Sequence, residues 1–151
     1  MKMSNALDIL CAGTESQRGA NYRMRSQTVA GSAKVLVVDD AADLALSLQY
    51  VLETLIDCEV CTAFNAEQAL QLLEHKSFDV LVTDYHMPGM DGLALAEQVC
   101  RLYPRTTTII VSADSDAIQR DQAARVSVQH ILDKPAEPAQ IYRLVSDALG
   151  R

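Results

Sequence analysis

A parallel α/β sheet, doubly wound with helices on both faces, is the fold this sequence predicts, and two observations predict it. From Lys34 onward, short apolar runs alternate with helical patterns of ten to fifteen residues, the rhythm of βαβ units. The runs are rich in β-branched residues and apolar almost throughout, as strands covered on both faces are. Five strands and five helices alternating in about 117 residues leave one economical arrangement, because parallel crossovers are right-handed.

The strands are expected at Lys34 to Val38, Cys58 to Ala63, Asp79 to Thr83, Thr107 to Val111 and Val128 to Leu132. After the first, Leu44, Leu48, Val51 and Leu55 recur at i, i+4, i+7 and i+11, which marks one helical face. Asn65 stands three residues before Gln68 and opens NAEQALQLLEH, a capping-box pattern for the second helix. The third helix is expected from about Gly92 to Leu102 and the fourth from Ser115 to Ala124. Ile141, Leu144, Val145 and Ala148, at i, i+3, i+4 and i+7, mark the last.

With 151 residues, 49% of them apolar and 22% charged, the chain is of a size and composition for one globular domain. Residues 1 to 33 lack sustained periodicity and end in the small, polar SQTVAGSAK, so they are expected to form a flexible extension, with at most a short helix around Asn5 to Cys11. The domain proper is expected to span 34 to 150. The extension carries a net charge of +2 and the remainder −9, a body that repels nucleic acid. No run of 18 apolar residues exists to span a membrane, and Asp8 interrupts the apolar patch of the leading segment, which argues against a secretory signal. A cytoplasmic protein is expected. Cys58 and Cys61 form a CxxC, but no second pair completes a zinc set, and three residues apart on a strand they point to opposite faces. Reduced thiols are the expected state.

In doubly wound sheets, ligands sit at the carboxyl ends of the strands. Here the first strand stops at Asp39 and Asp40 and the third at Asp84, so three carboxylates arrive at one edge. That convergence is repulsive unless a cation sits among them, and oxygen-only ligands favour a hard one such as magnesium. The fourth strand ends at Ser112, a hydroxyl able to meet a phosphoryl oxygen, followed by the small Ala113. The fifth ends at Lys134, a compact ammonium donor, with Pro135 fixing the backbone beyond it.

The segments VLVVDD, DVLVTDYHMPGMDG, IIVSAD and ILDKP, in this order and spacing, resemble the response-regulator receiver domains of two-component signalling, a flavodoxin-like (βα)5 fold. The resemblance covers roughly Lys34 to Gly150. It implies that Asp84 accepts a phosphoryl group from a histidine kinase or phosphotransfer protein. It implies that Mg2+ is held by Asp39, Asp40, Asp84 and the backbone carbonyl of His86. Ser112 and Lys134 would contact the phosphoryl oxygens, and the Lys134–Pro135 bond would be cis. The side chains of His86 and Asp114 would border the approach of water to the acyl phosphate. Met87 and Met90 read as packing groups.

Two positions depart from the family's pattern. Ile131 stands where receivers usually carry Tyr or Phe, three residues before the lysine, and Ser127 replaces a common glycine. Isoleucine has no ring to swing, so the coupling between Ser112 and the outer surface of the fourth and fifth helices is expected to differ. His130, its neighbour, is expected on the opposite face.

The expected function is therefore a phosphoacceptor receiver rather than an enzyme, acting on a downstream protein target by contact, as a monomer or weak dimer. No output region is visible after the last helix. An aspartate phosphatase would want an acid two residues beyond its nucleophile, where His86 and Ala41 stand. A nucleotide or flavin binder would place phosphate donors where DDAAD lies. A receiver-like module acting without phosphorylation, and a receiver excised from a larger regulator or hybrid kinase, are the remaining alternatives.

Overall fold

The computed structural model describes residues 32–114, 118, 126 and 128–151. The expected helix from Ser115 to Ala124, position Ser127 and nearly all of the leading segment lie outside the described residues. Within them, β1 (Ala33–Val38), α1 (Ala42–Leu55), β2 (Cys58–Ala63), α2 (Ala66–His75), β3 (Val80–Asp84), α3 (Gly92–Leu102), β4 (Thr107–Ser112), β5 (His130–Asp133) and α4 (Pro138–Ala148) follow in order. The strands form one sheet in the order β2-β1-β3-β4-β5, and every pairing is parallel.

Alternation along each strand divides the core between two faces. Leu36, Val38, Cys61 and Leu81 point to one side, where Leu72 of α2 and Leu95 and Val99 of α3 close over them. Val35, Val37, Val60, Val82 and Ile109 point to the other, against Ala45 and Leu52 of α1 and Ile141 and Val145 of α4. Both sets are buried, which is why the strands read as continuous apolar runs. A third cluster joins Ala96, Ile110 and Ile118 to the half-buried Tyr85 and Ile131.

At two of the strand starts that differ from expectation, a side chain takes a place in the ladder. The Asp79 carboxylate accepts the Lys34 amide at 2.8 Å, so Asp79 ties the foot of β1 while β3 begins at Val80. The Gln129 side-chain carbonyl takes the Thr108 amide at 2.7 Å, and β5 begins one residue later at His130. The capping pattern of α2 is observed: Asn65 accepts the Gln68 amide at 2.8 Å, and Gln68 reaches back to the amide of Phe64 at 2.9 Å.

Helix α1 is rotated from the naive reading of its apolar spacing. Its buried residues are Ala45, Gln49 and Leu52, while Leu44 and Leu55 are each 57% exposed. Gln49 is accommodated because its amide donates to the Val60 carbonyl of the edge strand at 3.0 Å. Leu44, Leu48 and Val51 instead line a groove toward Pro138 and Ile141 of α4.

Candidate functional site

The edge formed by the strand carboxyl ends brings together most of the residues singled out from the sequence. Asp39 follows β1, and its amide still bonds the Ala63 carbonyl of β2 at 3.1 Å, extending the ladder by one residue. Its carboxylate then accepts the Ala41 amide at 2.9 Å, an Asx turn that starts α1 and fixes the side chain's direction. Asp84 is the last residue of β3 and is only 7% exposed. Carboxylate oxygens of Asp39, Asp40 and Asp84 lie within 4.8 Å of one another.

Lys134 reaches this group from the other side. Its amide donates to the Ser112 carbonyl at 2.7 Å, which pins the end of β5 to the end of β4, and its Nζ lies 3.0 Å from Oδ1 of Asp84. The Lys134–Pro135 peptide is cis, as the resemblance implied. Ser112 is fully buried, and its hydroxyl oxygen accepts the Asp114 amide at 3.1 Å. Among the described residues, three acids face one ammonium. Burial raises the Asp39 carboxyl above its ordinary value; the Ala41 hydrogen bond opposes this, Asp84 adds to it, Lys134 opposes it and Asp40 adds to it. A hard divalent cation suits such a donor set, since it needs oxygen ligands and relieves the repulsion.

The loop beyond Asp84 is held as closely. Met87 is buried in the core and Met90 packs beside it, which bears out their reading as packing groups. The exposed His86 meets the Tyr85 ring edge-on at 4.7 Å. Gly89 adopts φ +80°, a conformation suited to glycine. Asp91 caps α3 by accepting the Ala94 amide at 2.8 Å.

Two features escaped the sequence. Gly92 donates its amide to the Tyr85 carbonyl at 2.8 Å, and a Cβ at this position would sit 2.2 Å from the Asp84 carbonyl oxygen. The α3 terminus therefore rests directly on the backbone of Asp84. The DG pair in MPGMDG was the available signal. The second feature is an apolar cavity of about 570 Å³ beneath the acidic cluster, with Leu44, Leu48, Val111 and Ile141 in its walls and Asp39, Asp84 and Lys134 at its rim. Of the cysteines, Cys58 and Cys100 are free thiols while Cys61 is disulfide-bonded, so the CxxC is not closed on itself but the expectation of reduced thiols fails at Cys61.

Comparison with known proteins agrees with this geometry. A family model described as response regulator receiver domain matches residues 35–146. The chain is 36% identical over 119 residues to the DNA-binding transcriptional regulator NtrC of Escherichia coli strain K12, covering 77% of this chain and 24% of that protein. It thus spans about a quarter of the length of the NtrC relatives it matches. A probable chemotaxis protein CheY of Rhizobium etli is 30% identical over 111 residues, covering 72% of this chain and 85% of that one. Among solved structures, the signal receiver domain of an HD domain-containing protein from Pseudomonas fluorescens Pf-5 superposes with TM-score 0.74 at 28% identity, over 80% of this chain and 96% of that one. Chemotaxis response regulator CheY4 of Vibrio cholerae gives TM-score 0.71 at 25% identity, over 78% and 99%. With strand order, acidic edge and family match in agreement, the chain belongs to the response-regulator receiver domains of two-component signalling.

Proposed function

We propose that Asp84 is the phosphoacceptor of a receiver spanning 34–150, with residues 1–33 as its leading extension. The observation that carries this reading is the nearly buried Asp84 carboxylate, with acidic partners within 4.8 Å on one side and the Lys134 ammonium at 3.0 Å on the other. The carboxylate oxygen attacks the phosphorus of a phosphohistidine on a kinase or phosphotransfer protein; the P–N bond breaks as the P–O bond forms, and the imidazole leaves with the electron pair. Lys134 donates to a phosphoryl oxygen and offsets the charge that gathers there. The Ser112 oxygen accepts the Asp114 amide, which leaves its own proton to donate to a second phosphoryl oxygen.

Asp39, Asp40 and Asp84, with the backbone carbonyl of His86, would hold Mg2+. When bound, it would neutralise the acids and polarise the phosphoryl group. The carboxylate cluster supports that assignment through its all-oxygen chemistry.

Signalling follows as a shift between two conformations that a protein target distinguishes, and the chain is a signalling module rather than an enzyme acting on a free substrate. Among the described residues no helix is long and apolar enough to cross a membrane, which supports a cytoplasmic setting. Monomer or weak dimer is the proposed state. Ile131 favours a second reading, an interaction module that works without phosphorylation, since it packs with Tyr85 and Ile110 where a swinging ring would be needed.

Intact mass after incubation with acetyl phosphate separates the two. One phosphoryl group gained only with magnesium, and absent in Asp84→Asn, is the expected result. No gain under conditions that label another receiver would leave the phosphorylation-independent module.

A further inference from the structure

The cavity of about 570 Å³ runs between α1 and α4 and ends at the acidic cluster. Leu44, Leu48 and Val51 of α1 line one side, Pro138 and Ile141 of α4 the other, and Val111 of β4 lines it from the sheet. Protein interiors seldom leave a void larger than a water molecule, and walls this apolar offer water few partners. Pockets of about 300–1,000 Å³, mostly apolar with a few convergent polar groups, are the ordinary form of a small-molecule site.

The charged groups at this cavity have a marked excess of one sign. Asp39, Asp84 and Lys134 line it, with Asp40 beside them. Lys134 is the only cation among the lining residues, and its ammonium already faces Asp84 at 3.0 Å. No lysine or arginine occurs from Val35 to His75, the stretch that supplies Asp39, Asp40 and the whole of α1. Carboxylate oxygens of the three acids lie within 4.8 Å of one another, and a nitrogen resting on three oxygens so spaced is about 3 Å from each, the length of an N–H···O bond. A primary ammonium carries three such donors. An anionic head would meet the excess of negative charge. A divalent cation fits the same oxygens but leaves the apolar space beside them unfilled, whereas an ammonium on an aliphatic tail uses both.

We propose that this cavity binds a small aliphatic amine, with its apolar tail between α1 and α4 and its ammonium on Asp39, Asp40 and Asp84. Bound there, the amine occupies oxygens that a divalent cation would use. The inference goes beyond the phosphoacceptor reading and stands whether or not Asp84 is phosphorylated.

The test is NMR on the methyl-labelled full chain at neutral pH, free of divalent cations, titrated with hexylamine, hexanol and hexanoate, which share a tail and differ in the head. Expected are shifts of the Leu44, Leu48, Val111 and Ile141 methyls, with hexylamine bound about tenfold more tightly than hexanol, the worth of a charge-assisted hydrogen bond, and hexanoate bound most weakly. Asp39→Asn weakens hexylamine and leaves hexanol unchanged, because only the head is touched. Leu48→Phe, which narrows the cavity, weakens both. Unchanged amide shifts in the sheet report that each variant is folded. No shift at these methyls, equal affinity for hexylamine and hexanol, or tightest binding of hexanoate overturns the proposal. So does movement of the same methyls with protein concentration alone, which would make a second copy of the chain the occupant.

Discussion

The Nζ of Lys134 stands 3.0 Å from Oδ1 of Asp84, so that an ion pair bridges the ends of β3 and β5 across β4. Substituting Lys134→Ala leaves a nearly buried carboxylate facing two other acids with no ammonium. Loss of one preorganised donor lowers phosphoryl transfer to Asp84 by about 100-fold or more. Because Lys134 is partly exposed, the loss in stability is on the order of 1 kcal/mol. Rates of labelling by acetyl phosphate and urea midpoints measure the two effects separately.

Asp39 carries stability of the opposite sign. Its folded carboxyl titrates above the ordinary 3.8, chiefly through burial. The fold holds this proton more tightly than the unfolded chain, so the stability linked to it is full below the ordinary value and is lost as pH rises through the folded one. Asp39→Asn keeps an oxygen for the Ala41 amide and removes that loss. Without divalent cations its melting temperature at neutral pH is expected above that of the unaltered protein, with the gap closing in acid. Added magnesium, which stabilises the state that binds it, raises the unaltered protein more than the variant.

Gly92→Ala tests the close approach of α3 to the acceptor. The added methyl meets the Asp84 carbonyl, and the helix has to retreat from the strand. Overpacking of this kind costs about 1–3 kcal/mol. Denaturant unfolding reads the loss, and magnesium affinity falls with it because Asp84 moves. Unchanged stability and affinity would show the contact to be relieved without effect.

Burial pushes the Cys58 thiol up to about 12, with Glu53 and Asp57 adding to the shift and Arg151 opposing it. It stays protonated and slow to react at neutral pH. Stability tied to this thiol is full below the ordinary value of 9.0 and falls as pH rises toward about 12. Alkylation of Cys58, followed by peptide mass, is expected to remain slow at pH 8 and accelerate steeply in alkali. Fast labelling of the folded protein at pH 8 would contradict the burial.

The sheet was legible because its signal is dense. Each strand is apolar on both faces, and the acids, hydroxyl and amine stand where such runs end. Asp39, Asp40, Asp84, Ser112 and Lys134 could therefore be named from position alone, although their roles rest on chemistry still to be measured. What was hidden depends on relations between distant side chains. Gln129 occupies a backbone's place beside Thr108, and Asp79 does so beside Lys34. Periodicity also misjudged α1, because a glutamine with a partner on β2 outcompeted leucines for the buried stripe.

The three acids belong to β1 and β3 and their following turns, whereas the ammonium that faces Asp84 belongs to the end of β5. On a ribosome the acids emerge first and Lys134 long after them. Until β5 docks, only ions from solution temper their repulsion. A nascent chain halted before β5 therefore holds the acceptor but lacks its ammonium partner.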